Sequence, residues 1–104
     1  MGEYRVKRWD GAGAPDASEL TKRMRGEGYS VFEWSDPPAT IYPDHEHQDE
    51  QSHWIISGTL ELSVRGFSTV TLRPGDRDFV PAGTTHSARV VGGEPVVYLI
   101  GSQR

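Results

Sequence analysis

Residues 75–86 have the sequence GDRDFVPAGTTH. A glycine, a proline, a second glycine and a histidine occur in it with the spacing G-x5-P-x-G-x2-H, in which the histidine is His86. Glycine and proline in this order predict tight turns on either side of a short strand. Earlier in the chain, residues 45–58 follow the spacing H-x-H-x3-Q-x6-G, from His45 to Gly58. The two stretches together contain all 4 histidines of the chain.

His45 and His47 are two residues apart, so their side chains point to the same side of an extended chain. Two imidazoles in that geometry can chelate a first-row transition metal ion. An H-x-H pair in a polar stretch is more often solvated surface than a metal site, and these residues alone leave both interpretations open. Gln51 and His53 form a second pair on one side of the next expected strand.

The composition limits the classes of protein that fit. The chain has 104 residues, the size of one domain. It has no cysteine, which excludes disulfides and a cysteine nucleophile, so any metal must be held by nitrogen and oxygen atoms. The net charge of −4 argues against a nucleic-acid partner. The apolar runs, such as residues 96–100, are too short for a membrane span, and no signal-peptide pattern is present, so we expect a cytoplasmic protein without a membrane partner.

Local patterns predict one short helix followed by a series of strands. Asp16 is a candidate N-cap with Glu19 completing a capping box, and Leu20 and Met24 form a narrow apolar stripe on a helix of residues 17–25. From residue 29 onward, short β-favouring segments alternate with turns rich in glycine and proline, which is typical of an all-β sandwich or barrel. The expected strands cover residues 4–9, 29–34, 39–42, 51–57, 59–65, 68–72, 78–80, 86–91 and 94–100.

The two spaced stretches together resemble the two conserved motifs of the cupin superfamily, over about residues 39–100. The resemblance implies an all-β fold, the double-stranded β-helix or jelly-roll barrel of cupins, here with one short N-terminal helix. We expect a single cupin domain over residues 1–104, with an N-terminal extension of residues 1–28 and a barrel of residues 29–104. Ala39 stands where the first motif usually begins with glycine, and Val90 where the second usually ends with asparagine.

The resemblance implies a metal site of four residues, which are His45, His47, Gln51 and His86. Gln51 stands where the family usually has glutamate, and Glu50 precedes it. Because neighbouring residues of a strand point to opposite faces, we expect Gln51 to face the metal and Glu50 to point away. An amide does not neutralise the ion's charge, which makes the ion a stronger Lewis acid and its binding weaker. We expect one divalent transition metal ion, and Zn, Ni, Fe, Co and Mn all suit these ligands.

His53 lies two residues after Gln51, so we expect it to face the same interior. It is the candidate catalytic residue, as a general acid or base, and the alternatives are a further metal ligand, support for a ligand, or a hydrogen-bonded core histidine. Trp54 and Ile56 point the other way and must be covered from outside, either by the N-terminal helix or by a second subunit. This need for cover favours a homodimer.

The resemblance implies a metal-dependent enzyme of isomerase or lyase type, in which the metal polarises a carbonyl group and His53 moves a proton. The expected partner is a small-molecule substrate or ligand, polar and rich in oxygen, such as a sugar acid or a keto acid. Some cupins with glutamine in the first motif, which linearise an unsaturated galacturonate, fit this expectation. An iron-dependent dioxygenase and a non-catalytic cupin that binds or senses a small ligand are the alternatives.

Overall fold

Strands dominate the computed structural model, which describes residues 3–104. In chain order, the elements are β1 (Arg5–Lys7), α1 (Ala17–Gly26), β2 (Ser30–Asp36), β3 (Ile41–His45), β4 (Glu50–Ser57), β5 (Thr59–Val64), β6 (Val70–Leu72), β7 (Arg77–Val80), β8 (His86–Val91) and β9 (Val96–Gln103). The predicted all-β class with one short helix is confirmed. Residues 1 and 2, which the expected domain includes, lie outside the described residues. Among residues 3–104, no helix has both the length and the apolar character that a bilayer crossing requires.

The strands form two antiparallel sheets whose inner faces meet in one core. The larger sheet has the order β1-β7-β4-β9-β2, and the smaller has the order β3-β8-β5-β6. Side chains alternate along the strands, so that in β5 Leu60, Leu62 and Val64 are buried while Ser63 is exposed. The buried core residues contributed by both sheets and by the segment before β1 are Tyr4, Ile55, Leu60, Leu62, Val64, Leu72, Val80, Val90, Val96 and Tyr98.

The strand that carries the first histidine begins later than the sequence predicts. It is expected over residues 39–42 but runs over Ile41–His45. Ala39 has a φ of 68°, in the left-handed region, so the chain turns there instead of extending. The strand also ends later than expected, at His45, which pairs with His86 on β8. The left-handed backbone also explains why glycine suits this position in the family pattern.

The start of α1 follows the predicted cap in part. Asp16 accepts a hydrogen bond from the backbone N–H of Glu19 (3.1 Å), as an N-cap does. The Glu19 carboxylate accepts a hydrogen bond from Arg23 (3.0 Å), and no bond from it back to Asp16 is found in the described part of the chain. The expected capping box is therefore formed only by its Asp16 half.

A second apolar cluster lies between α1 and the outer face of the larger sheet. It consists of Leu20, Met24, Tyr29, Trp54 and Leu99, and Ile56 is partly buried against it. The helix thus supplies the cover that the outward orientation of Trp54 and Ile56 requires. Because this cover needs no second subunit, the homodimer stays a prediction that this packing does not support.

Replacing Ala39 with glycine is expected to raise the free energy of unfolding by about 0.5 kcal/mol. An L-residue in the left-handed region is strained by roughly 1–2 kcal/mol, and glycine removes this strain. Glycine also gives the unfolded chain more conformational entropy, which offsets part of the stabilisation. Urea unfolding measures the difference. Ala12→Gly, at a loop residue without a positive φ, is the control and should destabilise slightly. If both variants lose the same stability, Ala39 is not strained.

Candidate metal centre

Three histidine side chains converge from β3, from the turn after it and from β8. His45 is the last residue of β3 and pairs with His86, the first residue of β8. His47 lies two residues after His45, in the turn that follows β3. The ring centroids of His45 and His86 lie 4.3 Å apart, those of His45 and His47 4.9 Å, and those of His47 and His86 5.5 Å. One ring nitrogen of each lies within 4.8 Å of the other two. The structure therefore brings together three of the four residues in the expected ligand set.

Backbone carbonyl groups orient two of these rings. Nδ1 of His45 lies 2.8 Å from the carbonyl oxygen of Pro43, and Nδ1 of His86 lies 2.9 Å from that of Thr84. Because a carbonyl oxygen can only accept, we assign the proton to Nδ1 in both rings, which leaves the lone pair on Nε2. Nε2 of His86 is buried and has no hydrogen-bond partner within residues 3–104. A buried lone pair without a partner is unfavourable unless a cation binds it, so this donor set fits a first-row metal ion.

The pKa values of two of these histidines favour the form that binds metals. Burial, which disfavours the charged imidazolium, is the main cause that lowers the pKa of His47 and of His86. Neighbouring histidines lower both pKa values further. The neutral imidazole that results is the state in which histidine is a metal ligand.

Gln51 lines the same cavity as the three histidines, from strand β4. Glu50 points to the opposite face, where its carboxylate accepts a hydrogen bond from the hydroxyl of Tyr29 (2.9 Å). The orientations expected from strand alternation are thus observed for both residues. The role of Gln51 as the fourth ligand stays a prediction.

His53 also lines the cavity, and it forms a pair with a buried carboxylate. Its Nδ1 lies 2.9 Å from Oδ1 of Asp78, and its backbone N–H donates to the same oxygen at 2.9 Å. Burial alone would lower the pKa of His53, but the adjacent Asp78 carboxylate outweighs burial, and the pKa is raised. With Nδ1 bound to Asp78, Nε2 is the ring nitrogen that can exchange a proton with a molecule in the cavity. Sequence reasoning missed Asp78, which lies inside the second motif but outside its fixed positions.

The cavity has a volume of about 540 Å³, and its lining divides by chemistry into two sets of residues, named here the polar end and the aromatic end, which meet where the ring centroids of His53 and Tyr98 lie 6.0 Å apart. The four histidines and Gln51 form the polar end. The remaining lining residues are aromatic or aliphatic: Phe32, Trp34, Tyr42, Pro43, Leu60, Leu62, Ala88, Tyr98 and Ile100. Phe32 and Trp34, which are 54% and 46% exposed, pack edge to face at the open side. Within the described chain, the lining residues include no lysine, arginine or carboxylate.

A carboxylate behind the cavity wall holds three of its aromatic side chains. Asp36, at the end of β2, is buried and accepts hydrogen bonds from the indole N–H of Trp34 (3.1 Å) and the hydroxyls of Tyr42 (2.7 Å) and Tyr98 (2.9 Å). Because the indole N–H and the two hydroxyl hydrogens are bound to Asp36, they are not available to a molecule in the cavity. Ring faces backed by a negative charge attract cations. In the sequence, Asp36 has the pattern of a turn residue before two prolines, so nothing distinguished it as part of the site.

Residues 32–101 match the Cupin_2 family, the cupin domain. Among curated proteins, the chain is 33% identical over 79 residues to the dimethylsulfoniopropionate lyase DddQ of Ruegeria pomeroyi (strain ATCC 700808 / DSM 15171 / DSS-3). The match covers 76% of this chain and 35% of that protein, so the chain spans about a third of the length of this curated relative.

Two solved structures have the same fold at low sequence identity. The DMSP lyase DddQ from Ruegeria pomeroyi DSS-3 gives a TM-score of 0.64 at 19% identity, with 98% of this chain and 56% of that chain covered. A DUF861 family protein from Thermotoga maritima gives a TM-score of 0.63 at 17% identity, with 97% and 100% covered. The family match extends over more than half of the residues. The chain belongs to the cupin domain family.

Proposed function

We propose that this chain is a metal-dependent cupin enzyme of lyase type, which removes a proton from a carbon beside a carboxylate or carbonyl group of a small molecule. The observation that carries the proposal is the buried Nε2 of His86, which has no hydrogen-bond partner in the part of the chain that the structure describes. It lies in a three-histidine cluster beside the pair of His53 and Asp78. The curated relative is named a lyase, which supports an enzymatic reaction over simple ligand binding.

A divalent ion of Zn, Ni, Fe, Co or Mn, held by His45, His47, His86 and Gln51, would supply Lewis acidity for the negative charge that develops on a carboxylate or carbonyl oxygen. The protein's own proton acceptor is Nε2 of His53, since Nδ1 is bound to Asp78. The buried Asp78 carboxylate stabilises the imidazolium that forms when His53 takes up a proton. Apolar residues around the rest of the cavity exclude water from the reacting carbon.

The two ends of the cavity favour a substrate with a carboxylate at one end and a positive charge at the other. The name of the curated relative specifies such a molecule, dimethylsulfoniopropionate, which carries a carboxylate and a sulfonium cation. We propose that the carboxylate lies at the histidine end and the sulfonium against Trp34 and Tyr98, with Asp36 behind them. A sugar acid suits this wall less well, because the wall's donor hydrogens are already bound to Asp36 and cannot be given to the hydroxyl oxygens of a sugar.

On this substrate the chemistry balances as an elimination. Nε2 of His53 takes the proton from the carbon beside the carboxylate, and the electron pair of that C–H bond forms a carbon–carbon double bond. The carbon–sulfur bond breaks, and its electron pair leaves on neutral dimethyl sulfide, with acrylate as the second product. The protonated His53 then returns its proton to water.

The protein is expected to bind one equivalent of a divalent transition metal ion, measured by calorimetry with Zn²⁺ and Ni²⁺. His86→Ala should weaken this binding by about 100-fold or more, because it removes the ring whose buried Nε2 has no hydrogen-bond partner among residues 3–104. His53→Ala is the matched control, since it is the same change at a ring outside the expected ligand set, and should retain wild-type affinity. Equal affinities for wild type and His86→Ala would contradict the ligand assignment.

His53→Ala is expected to lower kcat by about 10²–10⁴-fold with unchanged metal content, because the cavity then lacks its proton acceptor. Release of dimethyl sulfide from dimethylsulfoniopropionate, followed by gas chromatography, measures the rate, and a sugar acid and a keto acid are tested in parallel. A wild-type rate in the variant would rule out the proton role. Turnover of the sugar acid alone would show that the substrate assignment is wrong while the reaction class stands.

Trp34→Ala is expected to raise KM for dimethylsulfoniopropionate by about fivefold, since a ring face contributes roughly 1 kcal/mol to binding a cation. Ile41→Ala is the control, because Ile41 is 71% exposed and does not line the cavity. Steady-state kinetics of the two variants give the comparison. The same KM in both would place the sulfonium elsewhere.

A further inference from the structure

The Asp78 side chain is completely buried and both of its carboxylate oxygens are engaged. Oδ1 lies 2.9 Å from the backbone N and 2.9 Å from Nδ1 of His53. Oδ2 accepts a hydrogen bond from the hydroxyl of Tyr4 at 2.9 Å. Within residues 3–104, no lysine or arginine forms an ion pair with this carboxylate, so these donors stabilise its charge.

Tyr4 reaches Asp78 because it directly precedes β1, and β1 pairs with β7, the strand that carries Asp78. β1 pairs with β7 on one side, with Val6 opposite Asp78, and β4 pairs with it on the other, with His53 opposite Asp78. Tyr4 directly precedes β1, so it lies outside residues 32–101, which match the cupin domain. The N-terminal segment therefore adds a contact to the site that the matched domain does not contain.

The surroundings of Tyr4 keep its hydroxyl a donor. Its ring is buried in the core and packs edge to face on Phe67, with centroids 5.1 Å apart. Burial first, and the Asp78 carboxylate second, raise the pKa of Tyr4 above its ordinary value. The hydroxyl therefore stays protonated at neutral pH and donates a hydrogen bond to Oδ2.

We propose that Tyr4 is a positioning residue, which holds the Asp78 carboxylate so that Oδ1 fixes the Nδ1–H tautomer of His53. In this tautomer, the unprotonated Nε2 is the nitrogen that faces the cavity. The catalytic part of this inference rests on the proposed function, in which His53 accepts the proton. The tautomer itself does not depend on that function. Without the hydroxyl, Oδ2 has no donor in the described structure, and the carboxylate is held at only one of its oxygens.

Tyr4→Phe tests this role, because it removes the hydroxyl and keeps the ring that packs on Phe67. Tyr29→Phe is a matched control, since it also removes a hydroxyl that donates to a carboxylate at 2.9 Å, that of Glu50 on the outer face. Long-range nitrogen–proton NMR spectra of the metal-free protein at alkaline pH, where imidazoles are neutral, report which nitrogen of His53 carries the proton.

Wild type and Tyr29→Phe are expected to show His53 as the single Nδ1–H tautomer, and Tyr4→Phe as a mixture of the two. In the metal-loaded enzyme, kcat of Tyr4→Phe should fall by about tenfold with KM little changed, as for other residues that orient a functional imidazole. A pure Nδ1–H tautomer in folded Tyr4→Phe would overturn the proposal. If no variant turns over any substrate, the proposed function fails while the NMR result still decides the role of Tyr4.

Should Tyr4→Phe not fold, the wild-type protein gives the second test. A slowly exchanging hydroxyl proton on Tyr4 with a cross-peak to the Nδ1–H of His53 is the expected result, because both protons point at one carboxylate. A hydroxyl proton on Tyr4 that exchanges freely with water, or a His53 that carries its proton on Nε2, would overturn the proposal.

Discussion

The antiparallel pairing of β3 with β8 is the constraint on which the candidate site depends. It sets His45 opposite His86, although one belongs to the first spaced stretch and the other to the second. The carbonyl groups that orient the two rings, those of Pro43 and Thr84, lie just before these histidines in the same segments. The pairing thus fixes where the rings lie, and these local carbonyl groups fix which nitrogen each ring presents. A slip of one residue would turn one imidazole to the opposite face of the sheet and separate the ligands.

Two buried carboxylates organise the rest of the cavity. Asp78 binds His53 at the polar end, and Asp36 binds Tyr42 and Tyr98 at the aromatic end. Burying a carboxylate is unfavourable unless donors surround it. The donors to Asp36 are side chains that line the cavity, and those to Asp78 are the ring and backbone N–H of His53 together with the hydroxyl of Tyr4. The two charges therefore hold the cavity side chains in fixed orientations. They also leave the aromatic end with few free donors, which is the basis for preferring a cationic group there.

Much of the fold and part of the site follow from the sequence. The histidine spacing and the second motif identified the three rings that converge, and strand alternation predicted the opposite orientations of Gln51 and Glu50. The helix with Leu20 and Met24 on its buried face was also predicted, because its cap and apolar stripe are local signals. Such features depend on residues close together in the chain, where spacing determines geometry.

Three of the contacts that the sequence did not predict join distant residues. Tyr4 and Asp78 are 74 positions apart, Asp36 and Tyr98 are 62 apart, and His53 and Asp78 are 25 apart. Each depends on which strands are neighbours in a sheet and in what register, and no spacing within one segment carries that information. The turn at Ala39 escaped prediction for a different reason, because alanine seldom adopts a left-handed conformation.

X-ray absorption spectroscopy of the zinc-loaded protein tests the central claim most directly, because it counts the imidazole ligands of the ion. The account predicts a coordination shell that contains the three imidazole nitrogens of His45, His47 and His86, with oxygen atoms completing it. A shell with fewer than three imidazoles, or with oxygen atoms alone, would contradict the assignment of this cluster as the metal centre.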